Sequence, residues 1–178
     1  TITLRPHQQT AVDAMLKHDK GQVIIPTGGG KTICMIQDYL NQNGTSTVVV
    51  VAPRILLAKQ LCKEFLELVP DNQLHVMHVH SGDTDFFSTT KPRMIQLFNN
   101  TARAAGESCI IFTTYHSLEK IVQAGIDVDT IYFDEAHNSV QRNFFVPTEF
   151  PVFMVRSFVM FLLLNLWKRV TFSLLLFV

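Results

Sequence analysis

The chain of 178 residues has only three cysteines, at positions far apart. Cys34, Cys62 and Cys109 match neither the spacing of a zinc site nor a disulfide framework. This scarcity argues against a disulfide-stapled secreted domain and favours a reducing, cytoplasmic compartment. An excess of charge is also lacking, since 15 Lys+Arg stand against 15 Asp+Glu. Binding to a nucleic acid would therefore depend on local geometry rather than on a global basic field.

Two kinds of targeting segment are missing as well. The N-terminal stretch Thr1–Pro6 lacks the basic-then-apolar layout of a signal peptide. An apolar region near the C-terminus is interrupted by Arg156, Asn165, Lys168 and Arg169, which leaves runs too short to span a bilayer. We therefore expect no membrane contact, and the length suits one α/β domain.

What the chain does have is an alternation of short apolar runs with amphipathic stretches. The β-branched run Thr47–Val51 is typical of a strand covered by helices on both faces. Repeated strand–helix units predict an α/β fold with a mainly parallel sheet flanked by helices. The segment Asp83–Thr90 is predicted to be a loop. The other predicted strands are Gln22–Ile25, Leu74–His80, Cys109–Thr113 and Thr130–Phe133.

A glycine-rich turn joins the first predicted strand to the helix that follows, Ile25-Pro26-Thr27-Gly28-Gly29-Gly30-Lys31-Thr32. Glycines allow backbone N–H groups to converge on an anion, and the helix N-terminus adds its dipole. Lys31 would reach the β- and γ-phosphates of a nucleotide, and the Thr32 hydroxyl would bind Mg²⁺. Ile25 departs from the strict G-x-x-x-x-G-K-[ST] pattern. A glycine-rich turn beside a chance Lys-Thr pair is the alternative.

The last predicted strand delivers Asp134-Glu135-Ala136-His137 at its C-terminal end. Ligands of open α/β sheets bind outside the carboxyl ends of the strands, so the acidic residues and the glycine-rich turn are expected to share one site. Thr32 and Asp134 could hold Mg²⁺, and Glu135 could activate a water molecule as a general base. A surface turn with two solvated carboxylates is the alternative.

Three histidines, His75, His78 and His80, lie in one predicted strand. On a strand His78 and His80 share a face, and His75 points to the other. No carboxylate or cysteine lies nearby at ligand spacing, which favours histidines on a half-exposed strand over a metal site.

The stretches Gly28-Gly29-Gly30-Lys31-Thr32 and Asp134-Glu135-Ala136-His137 together resemble motifs I and II of superfamily 2 helicases of the DEAH/DExH kind. The resemblance implies the N-terminal RecA-like P-loop NTPase domain, with ATP and Mg²⁺ as cofactors. It makes Lys31, Asp134 and Glu135 catalytic and assigns the nucleotide to the glycine-rich turn. Arg5-Pro6-His7-Gln8 is similar to the family element whose glutamine recognises adenine, at the position of Gln8.

Further motifs follow in the order of that family. Ala52-Pro53-Arg54 with Gln60 resembles motif Ia, and Thr113–Leu118 resembles a later strand-end motif. The resemblance implies that Pro53, Arg54, Thr114, Tyr115 and His116 contact a nucleic-acid backbone, and that Ser81 and Gly82 belong to the same track. His137 would link the ATP site to the next motif.

The resemblance covers about residues 2 to 146 and ends before motif III. We therefore predict a RecA-like domain over residues 1–146, incomplete at its C-terminal end, and an atypical apolar tail over residues 147–178. Three explanations of the tail stay open: a membrane anchor, a helix and strand that complete the sheet, or an out-of-frame or truncated end. The family's second RecA-like domain is missing from this sequence.

The function expected from the resemblance is that of an ATP-dependent nucleic-acid helicase, represented by its ATP-binding and hydrolysis domain. A non-unwinding translocase or restriction-type motor subunit would share every motif present. A catalytically dead nucleic-acid-binding fragment is the third alternative. The motifs do not distinguish DNA from RNA. Without the second domain, we expect the chain alone to hydrolyse ATP slowly or not at all.

Overall fold

The computed structural model describes residues 2–18, 20–25, 30–42, 44–70, 74–135 and 171–176. Its helices are α1 Pro6–Lys17, α2 Lys31–Asn41, α3 Ile55–Leu68, α4 Pro92–Ala104 and α5 Leu118–Ala124. Its strands are β1 Lys20–Ile24, β2 Thr47–Ala52, β3 Leu74–Val79, β4 Phe87–Ser88, β5 Ser108–Thr114, β6 Thr130–Phe133 and β7 Thr171–Leu176. None of the helices in these ranges is long and apolar enough to cross a membrane.

The strands form one seven-stranded sheet in the order β1-β7-β6-β2-β5-β3-β4. Every paired neighbour runs parallel. Parallel neighbours require crossover connections. Helices α2, α3, α4 and α5 lie in such connections, whereas residues 80–86 join β3 to β4 without a helix. The predicted α/β fold with a parallel sheet flanked by helices is confirmed.

Strand β2 shows why the sheet is buried on both faces. Its residues Val48–Val51 are 0 % exposed. Because side chains alternate along a strand, Val49 and Val51 join one hydrophobic cluster, and Val48 and Val50 join another on the opposite face. The first cluster includes Met77, Ile111, Leu118 and Ile131, and the second includes Met35, Phe65, Ile110 and Phe112. The β-branched run is thus a central strand, as its composition predicts.

The segment predicted as a loop, Asp83–Thr90, contains a short strand. Phe87–Ser88 pairs with Met77–His78 at the edge of the sheet. Phe87 stacks in parallel on Phe98 of α4, with ring centroids 4.7 Å apart. This aromatic contact with the next helix holds the segment against β3, which the polarity of the segment did not indicate.

Strand β7 lies between β1 and β6, in parallel with both. Ser173 pairs with Gly21 on one side and with Tyr132 on the other. Residues 171–176 of the predicted tail therefore lie within the sheet. Of the three explanations of the tail, this position matches the one in which a helix and strand complete the sheet. The boundary at residue 146 lies outside the described residues and stays a prediction.

The position of β7 leads to a test by a single substitution, Ser173→Pro. Proline has no backbone N–H and fits poorly between two paired strands. We expect Ser173→Pro to lower the free energy of unfolding by about 3 kcal/mol, through a lost ladder hydrogen bond and an unpaired carbonyl. Urea denaturation measures the change, with Ser173→Ala, which keeps the N–H, as the control. Equal stability of the two variants would show that Thr171–Leu176 is not paired within the sheet.

Candidate nucleotide-binding site

Helix α2 follows β1 along the chain, and its first residue is Lys31. Gly30 caps the helix in the left-handed conformation, with φ of 78°. The backbone angle favours glycine, and a Cβ at Gly30 would lie 2.2 Å from Nε2 of Gln8, so the Gln8 amide would have to move. Thr32 follows in the first turn of α2 and is buried. The predicted loop residues Pro26, Thr27, Gly28 and Gly29 lie outside the described residues.

The acidic pair Asp134–Glu135 follows β6 directly and faces Lys31. The Lys31 Nζ lies 2.6 Å from Oδ1 of Asp134 and 3.7 Å from Oε1 of Glu135. Asp134 is 2 % exposed, whereas Glu135 is partly accessible. Glu135 also has a positive φ of 49°, a sparsely populated conformation for a non-glycine residue. The structure therefore joins the start of α2 to the end of β6, as the shared sheet edge predicts.

Backbone and side-chain hydrogen bonds fix the position of Asp134. Its N–H donates to the carbonyl of Val51 in β2, at 2.8 Å. The hydroxyl of Tyr115 donates to the carbonyl of Asp134, at 2.9 Å. Tyr115 is itself 2 % exposed. The bond between Tyr115 and Asp134 joins residues 19 positions apart, and no local pattern in the sequence indicates it.

Burial raises the pKa of Asp134, and the Lys31 ammonium opposes that shift. A carboxylate in such surroundings depends on a nearby cation to stay ionised. Besides Lys31, its Oδ1 has no hydrogen-bond partner among the described residues. The hard oxygen donors of Asp134 and Thr32 suit Mg²⁺, which prefers oxygen ligands and keeps several waters. The residues present thus fit the expected ion.

Gln8, the predicted adenine-binding residue, is 4 % exposed and contacts Gly30. Its Oε1 accepts from the N–H of Arg5 at 2.8 Å, and its Nε2 donates to the carbonyl of Gly30 at 3.1 Å. Gln8 therefore ties the start of α1 to the end of the glycine-rich turn. Its contact with adenine stays a prediction.

The residues predicted to contact nucleic acid lie at the carboxyl ends of β2, β3 and β5. Arg54, Ser81 and His116 are exposed there, and Gly82 is partly exposed. Pro53, Thr114 and Tyr115 are buried, so their side chains lie beneath this face. The structure thus brings the three predicted motifs to the sheet edge that carries Lys31 and Asp134. His137 lies outside the described residues.

The expectation of half-exposed histidines is wrong for two of the three. His78 and His80 are 1 % and 2 % exposed. Their rings share a face, as predicted, and Nδ1 of His78 lies 2.9 Å from Nε2 of His80. His75 is partly exposed and pairs with Glu107. Across the described ranges, no group of three or more His, Cys, Asp or Glu side chains is placed to hold a metal ion.

A parallel sheet with a lysine at the start of a helix, opposite an Asp-Glu pair at a strand end, is the arrangement of a RecA-like domain. Residues 1–161 match the family described as ResIII, the type III restriction enzyme res subunit. The chain belongs to this family. No curated protein matches the sequence.

Solved structures with the same fold include restriction enzymes and helicases. A nuclease-deletion mutant of the type ISP restriction-modification enzyme LlaGI, in complex with a DNA substrate mimic, is 28% identical over 76% of this chain, with a TM-score of 0.67. The type ISP enzyme LlaBIII bound to DNA is 20% identical over 98% of the chain, with a TM-score of 0.70. The UvsW helicase from bacteriophage T4 is 15% identical over 99%, with a TM-score of 0.62. The chain spans 13% of either restriction enzyme and 52% of UvsW.

The contact between Gly30 and Gln8 can be separated from backbone strain by a matched pair of substitutions. Gly30 and Gly44 both have positive φ, of 78° and 83°, but a Cβ added at Gly44 would meet nothing within 4 Å, whereas one at Gly30 would meet Gln8. Alanine at either site costs about 1–2 kcal/mol for the left-handed backbone. Gly30→Ala must also displace the Gln8 amide from its two partners, which adds about 1–3 kcal/mol.

Urea denaturation of Gly30→Ala, with Gly44→Ala as the control, measures this difference. We expect the Gly30 variant to be the less stable of the two. Equal losses would mean that Gln8 does not pack on the end of the glycine-rich turn.

Proposed function

We propose that this chain is the ATP-binding and ATP-hydrolysing domain of a DNA motor. The observation that carries the proposal is the convergence of Lys31, Asp134 and Glu135 at the carboxyl edge of the sheet. A phosphate-binding lysine and two adjacent carboxylates are the groups that phosphoryl transfer from ATP to water requires. Membership of the ResIII family supports the same assignment.

In the proposed mechanism, Lys31 exchanges the Asp134 carboxylate for the β- and γ-phosphates of ATP. Thr32 and Asp134 would hold Mg²⁺, which neutralises charge that develops on the phosphate oxygens. Glu135 lies at the more accessible end of the acidic pair, where it can orient the attacking water and accept its proton. Asp134 is too buried for that role and suits cation binding instead.

The nucleic-acid strand would cross the face formed by Arg54, Ser81, Gly82 and His116. Arg54 is an exposed cation beside the start of α3, where it can contact a backbone phosphate. The DNA in the two restriction-enzyme complexes supports DNA rather than RNA as the substrate of this chain.

Two kinds of motor share this domain, a strand-separating helicase and a translocase that moves without unwinding. The ResIII match and the 28% identity to a type ISP restriction enzyme support the restriction-type translocase. A strand-separation assay on a longer protein that contains this domain decides between them, because a translocase would consume ATP without displacing a strand.

A second RecA-like domain would complete the ATP site. In related NTPases, the arginine that such a partner supplies raises the rate by about 10³–10⁵-fold. We therefore expect the 178-residue chain to bind ATP, to hydrolyse it slowly and to need that partner for motor activity. A cytoplasmic location accords with this role.

Glu135→Gln tests the assigned chemistry. The change keeps the size of the side chain but removes the proton acceptor, so we expect ATP turnover to fall by about 10²–10⁴-fold with little change in ATP affinity. Turnover is measured with radiolabelled ATP over long incubations, with and without single-stranded DNA.

Glu119→Gln, an equivalent change in the first turn of α5, is the matched control. Equal turnover by the two variants would contradict the role of Glu135. Binding of DNA without any stimulation of turnover would instead support a catalytically dead nucleic-acid-binding fragment.

A further inference from the structure

The buried pair His78–His80 ends a chain of hydrogen bonds that starts at a backbone amide. The N–H of Gly82 donates to Nδ1 of His80, at 3.1 Å. That nitrogen is an acceptor, so the proton of a neutral His80 is on Nε2, which faces Nδ1 of His78 at 2.9 Å. His78 must then carry its own proton on Nε2. The chain of bonds therefore sets both tautomers.

His78 is left with a donor that has no acceptor. Its Nε2 is buried and has no hydrogen-bond partner among the described residues. Burial, the neighbouring His80 and the charge of Lys59 lower the pKa of His78 to about 4, so the ring is neutral near pH 7. A buried donor without a partner costs about 1–3 kcal/mol, and an acceptor supplied from outside would recover that cost.

His78 lines a pocket of about 610 Å³ between α3 and the segment after β3. We call it the histidine pocket. Its volume is typical of small-molecule sites. Phe86 also lines it, stacks on His78 with ring centroids 5.8 Å apart, and is 41% exposed. Phe112 stacks on His78 as well, at 5.5 Å. The lining of the pocket thus includes an accessible aromatic ring and the histidine that carries the buried, unpartnered donor.

The charges around the histidine pocket are mixed. Lys59 and Lys63 line it as donors, and Glu67, Asp83 and Asp85 line it as acceptors. Three carboxylates oppose a phosphate group, and a purely apolar ligand would leave the charged groups unpaired. A flat ring with donors and acceptors along its edges matches all of these features, and nucleobases have this chemistry.

We propose that the histidine pocket takes one unstacked nucleobase from a single strand that crosses Ser81 and Gly82. The base packs against Phe86, whose ring shifts to uncover the buried Nε2 of His78, and an acceptor on the base edge accepts a hydrogen bond from that N–H. Because Gly82 begins the hydrogen-bond chain, the backbone track and the base pocket are parts of one structure. This inference depends on the proposed function and, within it, on the strand-separating kind of motor, since it needs an unpaired strand on that track.

The test compares two DNA strands that carry the same phosphates. One is a fluorescent oligothymidylate of about 12 nucleotides, and the other is an abasic strand of equal length; the length lies within the usual site sizes. Loss of a base stack weakens binding by about 5–150-fold. We expect Phe86→Ala to bind oligothymidylate more weakly by this factor and to bind the abasic strand with the affinity of the wild-type chain. Fluorescence anisotropy measures both affinities.

Three further variants make the result specific. Leu97→Ala removes an exposed apolar side chain of α4 that does not line the pocket, and should leave both affinities unchanged. Phe86→Leu keeps an apolar cover on His78 but removes the aromatic ring, and should behave as Phe86→Ala does. Arg54→Ala should weaken binding to both strands equally, as loss of a phosphate contact requires.

Each other outcome overturns a defined claim. Equal losses on both strands in Phe86→Ala would mean that the pocket takes a phosphate, which contradicts the base proposal. No loss in Phe86→Ala, with Arg54→Ala still weakened, would overturn the base pocket alone. Failure of the wild-type chain to bind either strand would overturn the nucleic-acid track of the proposed function together with the pocket.

Discussion

The ion pair between Lys31 and Asp134 is the interaction on which the site depends. Asp134 is almost fully buried, and a buried carboxylate without a cation would take up a proton. Lys31 supplies that cation at 2.6 Å, so it stabilises the charged form that can later bind Mg²⁺. The same lysine is the group that would bind phosphate. The arrangement therefore holds both groups ready, and a nucleotide would have to compete with Asp134 for Lys31.

The parallel sheet makes this pairing possible and extends it across the molecule. Strands β2, β3, β5 and β6 end at one edge, so the residues that follow them lie on a common face. The N–H of Asp134 donates to the carbonyl of Val51 in β2, and the carbonyl of Asp134 accepts from the hydroxyl of Tyr115. Tyr115 directly precedes the exposed His116. The acidic pair and the proposed DNA face are thus joined by two hydrogen bonds rather than by a long chain of contacts.

Local patterns in the sequence predicted the fold because this fold is built from strongly patterned segments. The all-apolar Thr47–Val51 run could only be a covered strand, and the order of strands and helices placed the glycine-rich turn and the acidic pair at one edge. Features that depend on distant partners were not predictable in this way. The insertion of β7 between β1 and β6, the contact of Gln8 with Gly30 and the hydrogen bond from Tyr115 to Asp134 each join segments that no periodicity relates. The burial of His78 and His80 was missed because the covering elements, including Phe86, belong to a segment predicted as an open loop.

Equilibrium binding of Mg-ATP to the wild-type chain and to Lys31→Ala tests the central claim most directly. Lys17→Ala, an exposed lysine in the last turn of α1, is the control, and thermal melting without nucleotide checks that all three chains fold. We expect the wild-type and Lys17→Ala chains to bind ATP alike. We expect Lys31→Ala to lose at least about tenfold in affinity, because a charge-assisted contact to phosphate is lost. Unchanged ATP affinity in a folded Lys31→Ala chain would contradict the assignment of the nucleotide site.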